Sequence, residues 1–397
     1  MLQILFAIFF GILAGIFTGL VPGVHINLVA LILFILSPYF SNFTSPLVLA
    51  CFIVAMAITH CFIDFIPSIF LGAPKEETAL SVLPGHRMLL KGKGYEAIKL
   101  TTIGCLLGTL VACPFAIFFI FTASFFYYYL YKGIPFILLG ISLLLIIKEN
   151  KKIEAFFIFL FSGVFGFLTL NFTLIKQALF PLFTSLFGSP LLLISFLQNV
   201  SIPKQKIRKV KIQKKDILTG IWSSILSSSL VSFLPGVGAA QAASISASLK
   251  KMSSKVFLFV LGMISTMTML FSFVALYAIQ KPRTGVAVFV GKFLPGLSEK
   301  EIILFMVVAV LTSFVCFFIA SFFARIFSKN ITKIKYKWIC LGILIFLLIL
   351  TPIVSGLASL LVFFVGTCLG IMASMFGIRK IHLMGSLILP VIIWYLS

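Results

Sequence analysis

Apolar runs of about 20 residues, the length of a membrane-spanning helix, fill this chain from end to end, and short polar connectors separate them. The runs dominate the composition, because 61% of the 397 residues are hydrophobic and 10% are charged, whereas a soluble domain has about 25% charged residues. We therefore expect a polytopic integral membrane protein. About ten to twelve hydrophobic segments fit the sequence, some of them too short to span.

The spanning segments are predicted to be α-helices. A closed β-barrel is the other structure that satisfies every backbone group in lipid, and its strands alternate apolar and polar residues. Residues 134–147 and, apart from Glu154, residues 153–161 are instead apolar on all sides, which favours an all-α polytopic fold. The first 20 residues lack the basic n-region and the cleavage site of a secretory signal, so we interpret them as a retained first helix.

The charges indicate membrane topology. The formal net charge of +22 comes from 31 basic and 9 acidic residues, which lie mostly in connectors, where an excess of Lys and Arg marks the cytoplasmic side of a cell membrane. Nucleic-acid binding would need a basic folded surface, so no nucleic-acid partner is expected. A hinge at residues 204–216, with seven basic residues, is predicted to be cytoplasmic. A second basic cluster is expected on the same side and comprises Arg325, Lys329, Lys333, Lys335 and Lys337.

Two halves of the chain resemble each other. The sequence Leu-Val-Pro-Gly-Val-His at residues 20–25 is similar to Phe-Leu-Pro-Gly-Val-Gly at residues 233–238. Likewise, Leu-Phe-Gly at 186–188 is similar to Met-Phe-Gly at 375–377. This pattern predicts a duplication, as in many transporter folds. The predicted parts are a first transmembrane repeat at 1–203, the hinge at 204–216 and a second repeat at 217–397. The first Pro-Gly follows an uncharged terminus and the second follows the basic hinge, which predicts inverted repeats.

The paired Pro-Gly motifs predict broken helices. Proline removes a backbone donor and glycine lets the chain unwind, so the half-helix that follows presents N–H groups and the positive end of its dipole to an anion. The alternatives are a simple kink for each motif and, for the polar side chains, a hydrogen bond between helices. The predicted substrate-binding residues are Pro22, Gly23, His25, Asn27, Pro235, Gly236, Gly238 and Gln241.

A carboxylate lies within an apolar run at Asp64, and His60 precedes it by four residues on the same helical face. A buried carboxylate needs a cationic or protonic partner, so the two residues are a candidate site for a coupling ion. A pair of metal ligands and a polar pair at a helix interface are the alternatives. Thr78, beyond the Gly/Pro break that follows, is added to the predicted substrate site. The cysteines lie in apolar runs without a CxxC pair, so no metal site or disulfide frame is expected.

At these motifs the chain resembles the large permease subunit of the tripartite tricarboxylate transporters, and its compact archaeal-type branch in particular. The resemblance rests on the Pro-Gly-Val pair, Pro74 followed by Thr78-Ala79-Leu80, Gly85 near Lys91-Gly92, and residues 180–188. The chain departs from the family pattern at residues 75–77, which read Lys-Glu-Glu, and at Pro84. The resemblance implies an ion-driven secondary transporter for a carboxylated solute, with a small membrane subunit or a solute-binding protein as a further partner.

The function expected is a symporter in which both half-helices hold the solute and Asp64 with His60 binds Na⁺ or H⁺. No other cofactor is expected, and no Walker A pattern for ATP is present. The alternative is an intramembrane enzyme acting on lipid-linked substrates, with His25, His60, Asp64 and His86 as its polar centre. The duplication argues against an enzyme, which needs one asymmetric constellation. A scaffold or channel would leave the breaks and Asp64 without a role.

Overall fold

The structure is a computed structural model of the chain. It describes residues 1–21, 26–40, 43–71, 82–131, 133–198, 202–233, 239, 242–243, 246, 252–333 and 335–396. Every regular element within these residues is a helix. In the first half these are α1 (Leu2–Leu20), α2 (Ile26–Phe40), α3 (Pro46–Ile63), α4 (Phe65–Phe70), α5 (Val82–Leu90), α6 (Gly94–Tyr131), α7 (Ile134–Ile147), α8 (Lys152–Leu170), α9 (Leu179–Phe183), a π-helical turn (Thr184–Gly188) and α10 (Ser189–Leu197).

The second half has a similar series of helices. They are α11 (Lys214–Phe233), α12 (Ser254–Ile279), α13 (Gly285–Phe293), α14 (Glu299–Asn330), α15 (Tyr336–Ser355), α16 (Ser359–Met375), a 3₁₀ turn (Lys380–Met384) and α17 (Gly385–Leu396). In the described part of the chain, eight helices are long and apolar enough to cross a membrane, and four more apolar helices are shorter. The predicted all-α polytopic fold is confirmed.

Acidic residues begin several of these helices. Glu96, Glu154, Asp216 and Glu299 lie in the first turns of α6, α8, α11 and α14, where a carboxylate stabilises the positive end of the helix dipole. Asp64 is placed differently, since it lies at the far end of α3 and is 1% exposed.

Two helices, α3 and α12, are the most deeply buried of the long helices among the described residues. The side chains of α12 are buried from Leu258 to Leu276. Helix α1 packs along α3, and α11 packs along α12. Each of these two helices also packs on a helix of the other half, since α3 lies along α14 and α12 lies along α6. Each half of the chain therefore supplies part of the core of the other half.

Glycines allow these helices to approach closely, as small residues do in membrane bundles. A Cβ atom on Gly15 of α1 would lie 2.6 Å from the carbonyl oxygen of Met56 on α3. A Cβ atom on Gly108 of α6 would lie 2.5 Å from the carbonyl oxygen of Met263 on α12. Alanine at either position would push the two backbones apart.

Helices α6 and α14, one from each half, run in opposite directions. Lys99 Nζ on α6 donates to Ser321 Oγ on α14 at 2.6 Å, and Ser313 Oγ donates to Thr109 Oγ1 at 2.9 Å. The residue number rises along α6 while it falls along α14, so the two helices are antiparallel. The inverted repeats and their boundaries stay a prediction.

The hinge packs against the turn between α5 and α6. Gln205 Oε1 accepts from the Gly94 N–H at 2.7 Å, and Gln205 Nε2 donates to the Leu89 carbonyl at 3.0 Å. Ile202 packs against the apolar cluster that contains Tyr336 at the start of α15. Tyr336 lies between Lys335 and Lys337 of the second basic cluster. Both basic stretches therefore lie at one end of the helix bundle. Helix α11 begins at Lys214, so the last three residues of the predicted hinge belong to its first turn.

Candidate functional site

The turn at Asp64 lies between α3 and α4, and it is buried. The Asp64 N–H donates to the His60 carbonyl at 3.0 Å, so the last turn of α3 continues up to this residue. Pro67 follows three residues later and has no N–H to donate to the carbonyl of Ile63, four residues before it. The carboxylate of Asp64 therefore lies next in sequence to the carbonyl of Ile63, which lacks its usual helical N–H donor.

His60 is joined to α1 through a hydroxyl. Its Nδ1 lies 3.0 Å from Thr18 Oγ1, and both side chains are buried. The Thr18 hydroxyl donates to the Gly15 carbonyl at 3.2 Å, so it accepts from the imidazole. This pairing favours the tautomer that carries its hydrogen on Nδ1, in which Nε2 is the acceptor.

The end of α1 lies directly against the Asp64 turn. A Cβ atom on Gly19 would be 2.7 Å from Cβ of Ile63 and 3.4 Å from the backbone nitrogen of Asp64. Pro22 of the first Pro-Gly motif follows only three residues after Gly19. Asp64 and His60 thus adjoin the part of α1 that leads into the first predicted break.

Three more helices contact the last turns of α3 through thiols and hydroxyls. Cys61 Sγ points to the Ser265 carbonyl on α12 at 3.9 Å, and Cys105 Sγ on α6 donates to the Cys61 carbonyl at 3.4 Å. Cys316 Sγ on α14 donates to Thr59 Oγ1 at 3.2 Å. Helices from both halves therefore converge on the level of His60 and Asp64. Each of the seven cysteines is a thiol, as the sequence predicts.

The second half contributes a segment between α12 and α13. The Arg283 N–H and the Thr284 N–H both donate to Ser272 Oγ, at 3.0 and 2.8 Å. Arg283 Nε donates to the Val231 carbonyl at 2.9 Å, near the end of α11. A Cβ atom on Gly285 would lie 2.5 Å from the Asn27 amide, so α2 packs tightly on the start of α13.

Three predicted site residues, Asn27, His60 and Asp64, lie within the described residues. Asn27 is half-buried on α2, and the other two are buried on α3. The remaining predicted site residues lie outside the described residues, and these are Pro22, Gly23, His25, Thr78, Pro235, Gly236, Gly238 and Gln241. After the second Pro-Gly, Ala239, Ala242 and Ala243 are buried and Ser246 Oγ pairs with Ser227 Oγ of α11.

His86 is placed apart from His60 by its contacts. Its ring centroid lies 5.7 Å from that of Tyr336 at the start of α15. Burial lowers the pKa of His86, and Lys380 lowers it further, against an opposing effect of the Ile69 backbone. The contact of His60 is with Thr18 instead. The described contacts of His60 and His86 are therefore with different residues.

Arg283, Thr18 and Pro67 were missed by sequence reasoning. Thr18 is an ordinary polar residue of an apolar helix, and Arg283 lies in a short connector where any basic residue suits the topology. The proline carried the clearest signal, since a proline four residues after Ile63 in an apolar run removes one hydrogen bond beside the only acid of that run.

The comparisons with known proteins agree with this architecture. The family profile of the tripartite tricarboxylate transporter TctA family matches residues 5–385. This chain belongs to the TctA family. It is also 31% identical over 408 residues to the uncharacterized protein MJ1079 of Methanocaldococcus jannaschii, with 100% of each chain covered. No solved structure matches the chain.

Membership of the TctA family makes the chain a transporter component, in agreement with the eight span-length helices among its described residues. It is a multi-pass integral membrane protein, and a tripartite family implies partner subunits. Among the described residues of this TctA-family chain, no group of three His, Cys, Asp or Glu side chains could hold a metal ion.

Proposed function

We propose that this TctA-family chain is an ion-coupled secondary transporter of the cell membrane, which carries a small carboxylated solute such as a di- or tricarboxylate. The observation that carries the proposal is the buried carboxylate of Asp64 in a helix turn beside the end of α1. Ionisable groups within membrane helices are costly and mark ion or substrate pathways.

The coupling ion binds at the Asp64 turn. Broken transporter helices coordinate Na⁺ or H⁺ through unwound carbonyls and carboxylates, and here Pro67 withholds a donor from the Ile63 carbonyl next to Asp64. His60, held by Thr18, lies one turn before it and tunes the proton affinity of the site. The alternative is that His60 and Asp64 are a polar pair that only joins helices. That alternative gives no role to the Ile63 carbonyl.

The solute binds between the two Pro-Gly breaks, with Pro22, Gly23, His25, Asn27 and Thr78 from the first half. Pro235, Gly236, Gly238 and Gln241 contribute from the second half. Helix α13, which packs on Asn27, also contacts α3, the helix that ends at the Asp64 turn, and this supports one shared cavity. Half-helix N-termini and their free N–H groups suit the carboxylates of an anionic solute.

The antiparallel course of α6 and α14 supports inverted repeats at 1–203 and 217–397. Rocking of one repeat against the other around a fixed site would then expose the solute to each side in turn. A small membrane subunit or a solute-binding protein completes the assembly on this proposal. No observation favours the enzyme alternative.

The test is uptake by the purified protein in proteoliposomes. A panel of labelled di- and tricarboxylates is offered with imposed Na⁺ and pH gradients applied separately, and exchange is measured as counterflow. We expect accumulation of at least one solute with one gradient. If correctly inserted protein shows neither accumulation nor exchange of any solute, the proposal is rejected.

Asp64→Asn should abolish accumulation while sparing counterflow, because it removes the charge and keeps the size of the side chain. Asp216→Asn is a matched control, since Asp216 lies in the first turn of α11 next to the hinge, and it should leave accumulation unchanged. Full accumulation by Asp64→Asn would show that the carboxylate is only an interface contact.

A further inference from the structure

Lys380 is a buried lysine in the 3₁₀ turn that precedes α17. It is 5% exposed, and its Nζ donates to the Phe187 carbonyl in the π-helical turn at 3.4 Å. No ion pair within the described residues includes Lys380, and Glu149 accepts from Arg379 and His382 instead. An ammonium has three donors, so two donors of Lys380 remain without a partner among the described residues. A buried charge of this kind is costly unless a counterion joins it.

The ring of His86 on α5 lies within electrostatic reach of this ammonium. Burial lowers the pKa of His86, the Ile69 backbone opposes this effect, and the charge of Lys380 lowers the pKa further. The residue is 5% exposed, and neither ring nitrogen has a hydrogen-bond partner in the described part of the chain. A neutral imidazole offers one N–H donor. His86 therefore brings a donor to Lys380 without bringing a second charge.

A hydroxyl completes the cluster at Tyr336, the first residue of α15. Its ring centroid lies 5.7 Å from that of His86, and the residue is 3% exposed. Its Oη has no hydrogen-bond partner among the residues that the structure describes. The Cys340 thiol, one turn further along α15, interacts with it electrostatically, but a thiol is a weak donor and acceptor. Helix α5, helix α15 and the 3₁₀ turn thus bring together an ammonium, an imidazole and a hydroxyl.

We infer that Lys380, His86 and Tyr336 bind a monovalent inorganic anion, chloride, at the end of the bundle that carries the two basic stretches. A halide needs only donors, and these three side chains supply them. One ammonium with two neutral donors balances one negative charge, which favours chloride over phosphate or sulfate. All three side chains are buried, which favours a bare ion over the headgroup of a lipid.

The bound chloride neutralises Lys380 and joins three segments that are distant in sequence. Without it, the buried ammonium opposes the packing of α5 and α15 on the 3₁₀ turn. The site uses none of the residues assigned to the solute or to the coupling ion. Its test therefore needs no transport, and it stands or falls independently of the proposed function.

The experiment measures chloride binding to the purified full-length chain in gluconate buffer, by broadening of the ³⁵Cl resonance and by thermal unfolding. We expect saturable broadening that bromide displaces. Chloride at ten times its Kd should raise the unfolding temperature of the parent by about 2 °C, and sulfate should not reproduce this rise at equal ionic strength. Lys380→Met should lose both responses and should be at least as stable as the parent in gluconate, because it removes a buried charge.

Two more variants separate the site from the general charge of the chain. Tyr336→Phe removes one oxygen and should weaken chloride binding by about 10-fold, as expected for a lost hydrogen bond to a charged group. Lys335→Met is the matched control, since Lys335 is exposed and adjoins Tyr336 in sequence. Exposed lysines attract chloride only weakly, so the affinity of Lys335→Met should stay within about 2-fold of the parent.

The inference is wrong if the parent shows no saturable broadening, or if its broadening and chloride-dependent stability persist unchanged in Lys380→Met. It is also wrong if sulfate or phosphate stabilises the parent through Lys380 and chloride does not, since the site then takes a multivalent oxyanion. If Lys380→Met does not fold, Tyr336→Phe decides. Parental chloride affinity in that variant would show that the lysine is held by the Phe187 carbonyl alone.

Discussion

Replacing Gly19 by alanine would test how closely α1 must approach the turn at Asp64. The added Cβ would lie 2.7 Å from Cβ of Ile63, whereas carbon atoms pack at about 3.5–4.0 Å. The two helices would have to separate locally by about 1 Å. Overpacking of this kind costs about 1–3 kcal/mol, and the better helix propensity of alanine offsets about 1 kcal/mol of it. We expect a net loss of up to about 2 kcal/mol in the free energy of unfolding.

The displacement should also affect transport, because Thr18 precedes Gly19 and holds His60. Thermal unfolding in detergent and gradient-driven uptake are the two measurements, and both should fall. Gly140→Ala on α7 is the control, since a Cβ there meets nothing within 4 Å, and it should be neutral or slightly stabilising. The close approach would be refuted by a Gly19→Ala protein as stable and as active as the control.

Three further outcomes are expected. His60→Ala should lower accumulation, but less than Asp64→Asn does. Thr18→Val should act in the same direction, because it removes the hydroxyl that holds the His60 ring. If both variants accumulate solute like the parent, His60 has no role in coupling. Gly23→Val and Gly236→Val should each reduce solute binding by correctly inserted protein, because a β-branched side chain restricts the backbone. If either variant binds solute as well as the parent does, that Pro-Gly motif is only a packing kink. A cysteine at Gln205 should resist labelling from outside intact cells, since the basic hinge is predicted to be cytoplasmic. Ready labelling would reverse the predicted orientation.

The helical membrane fold could be predicted from the sequence because it depends on local properties. A run of about 20 apolar residues specifies a spanning helix without knowledge of its neighbours. The eight long and four short apolar helices found in the described part of the chain agree with the ten to twelve segments expected. The spacing of His60 and Asp64 likewise places both on one helical face. Their burial near the end of α1 is a property of packing, which the sequence did not supply.

Contacts between distant segments were the part that sequence reasoning could not supply. Thr18 and His60 are 42 residues apart, and Arg283 and Val231 are 52 apart. Helical periodicity tells which residues share a face, but the partner of that face depends on how whole helices pack. A basic residue in a connector satisfies the positive-inside rule equally well whether its side chain faces water or turns back into the bundle, so Arg283 carried no distinguishing signal.

The exchange of neighbours between the halves has a consequence for biosynthesis. Helix α3 leaves the ribosome long before α14, the helix along which it finally lies. The delay is roughly 250 residues, or about 10–50 s at ordinary rates of chain elongation. During this interval the buried face of α3, with Thr59 and Cys61, must rest against lipid, α1 or the insertion machinery. The first half is therefore an insertion intermediate that waits for the second, and a ribosome that stalls beyond the hinge leaves a membrane-embedded but unfinished core.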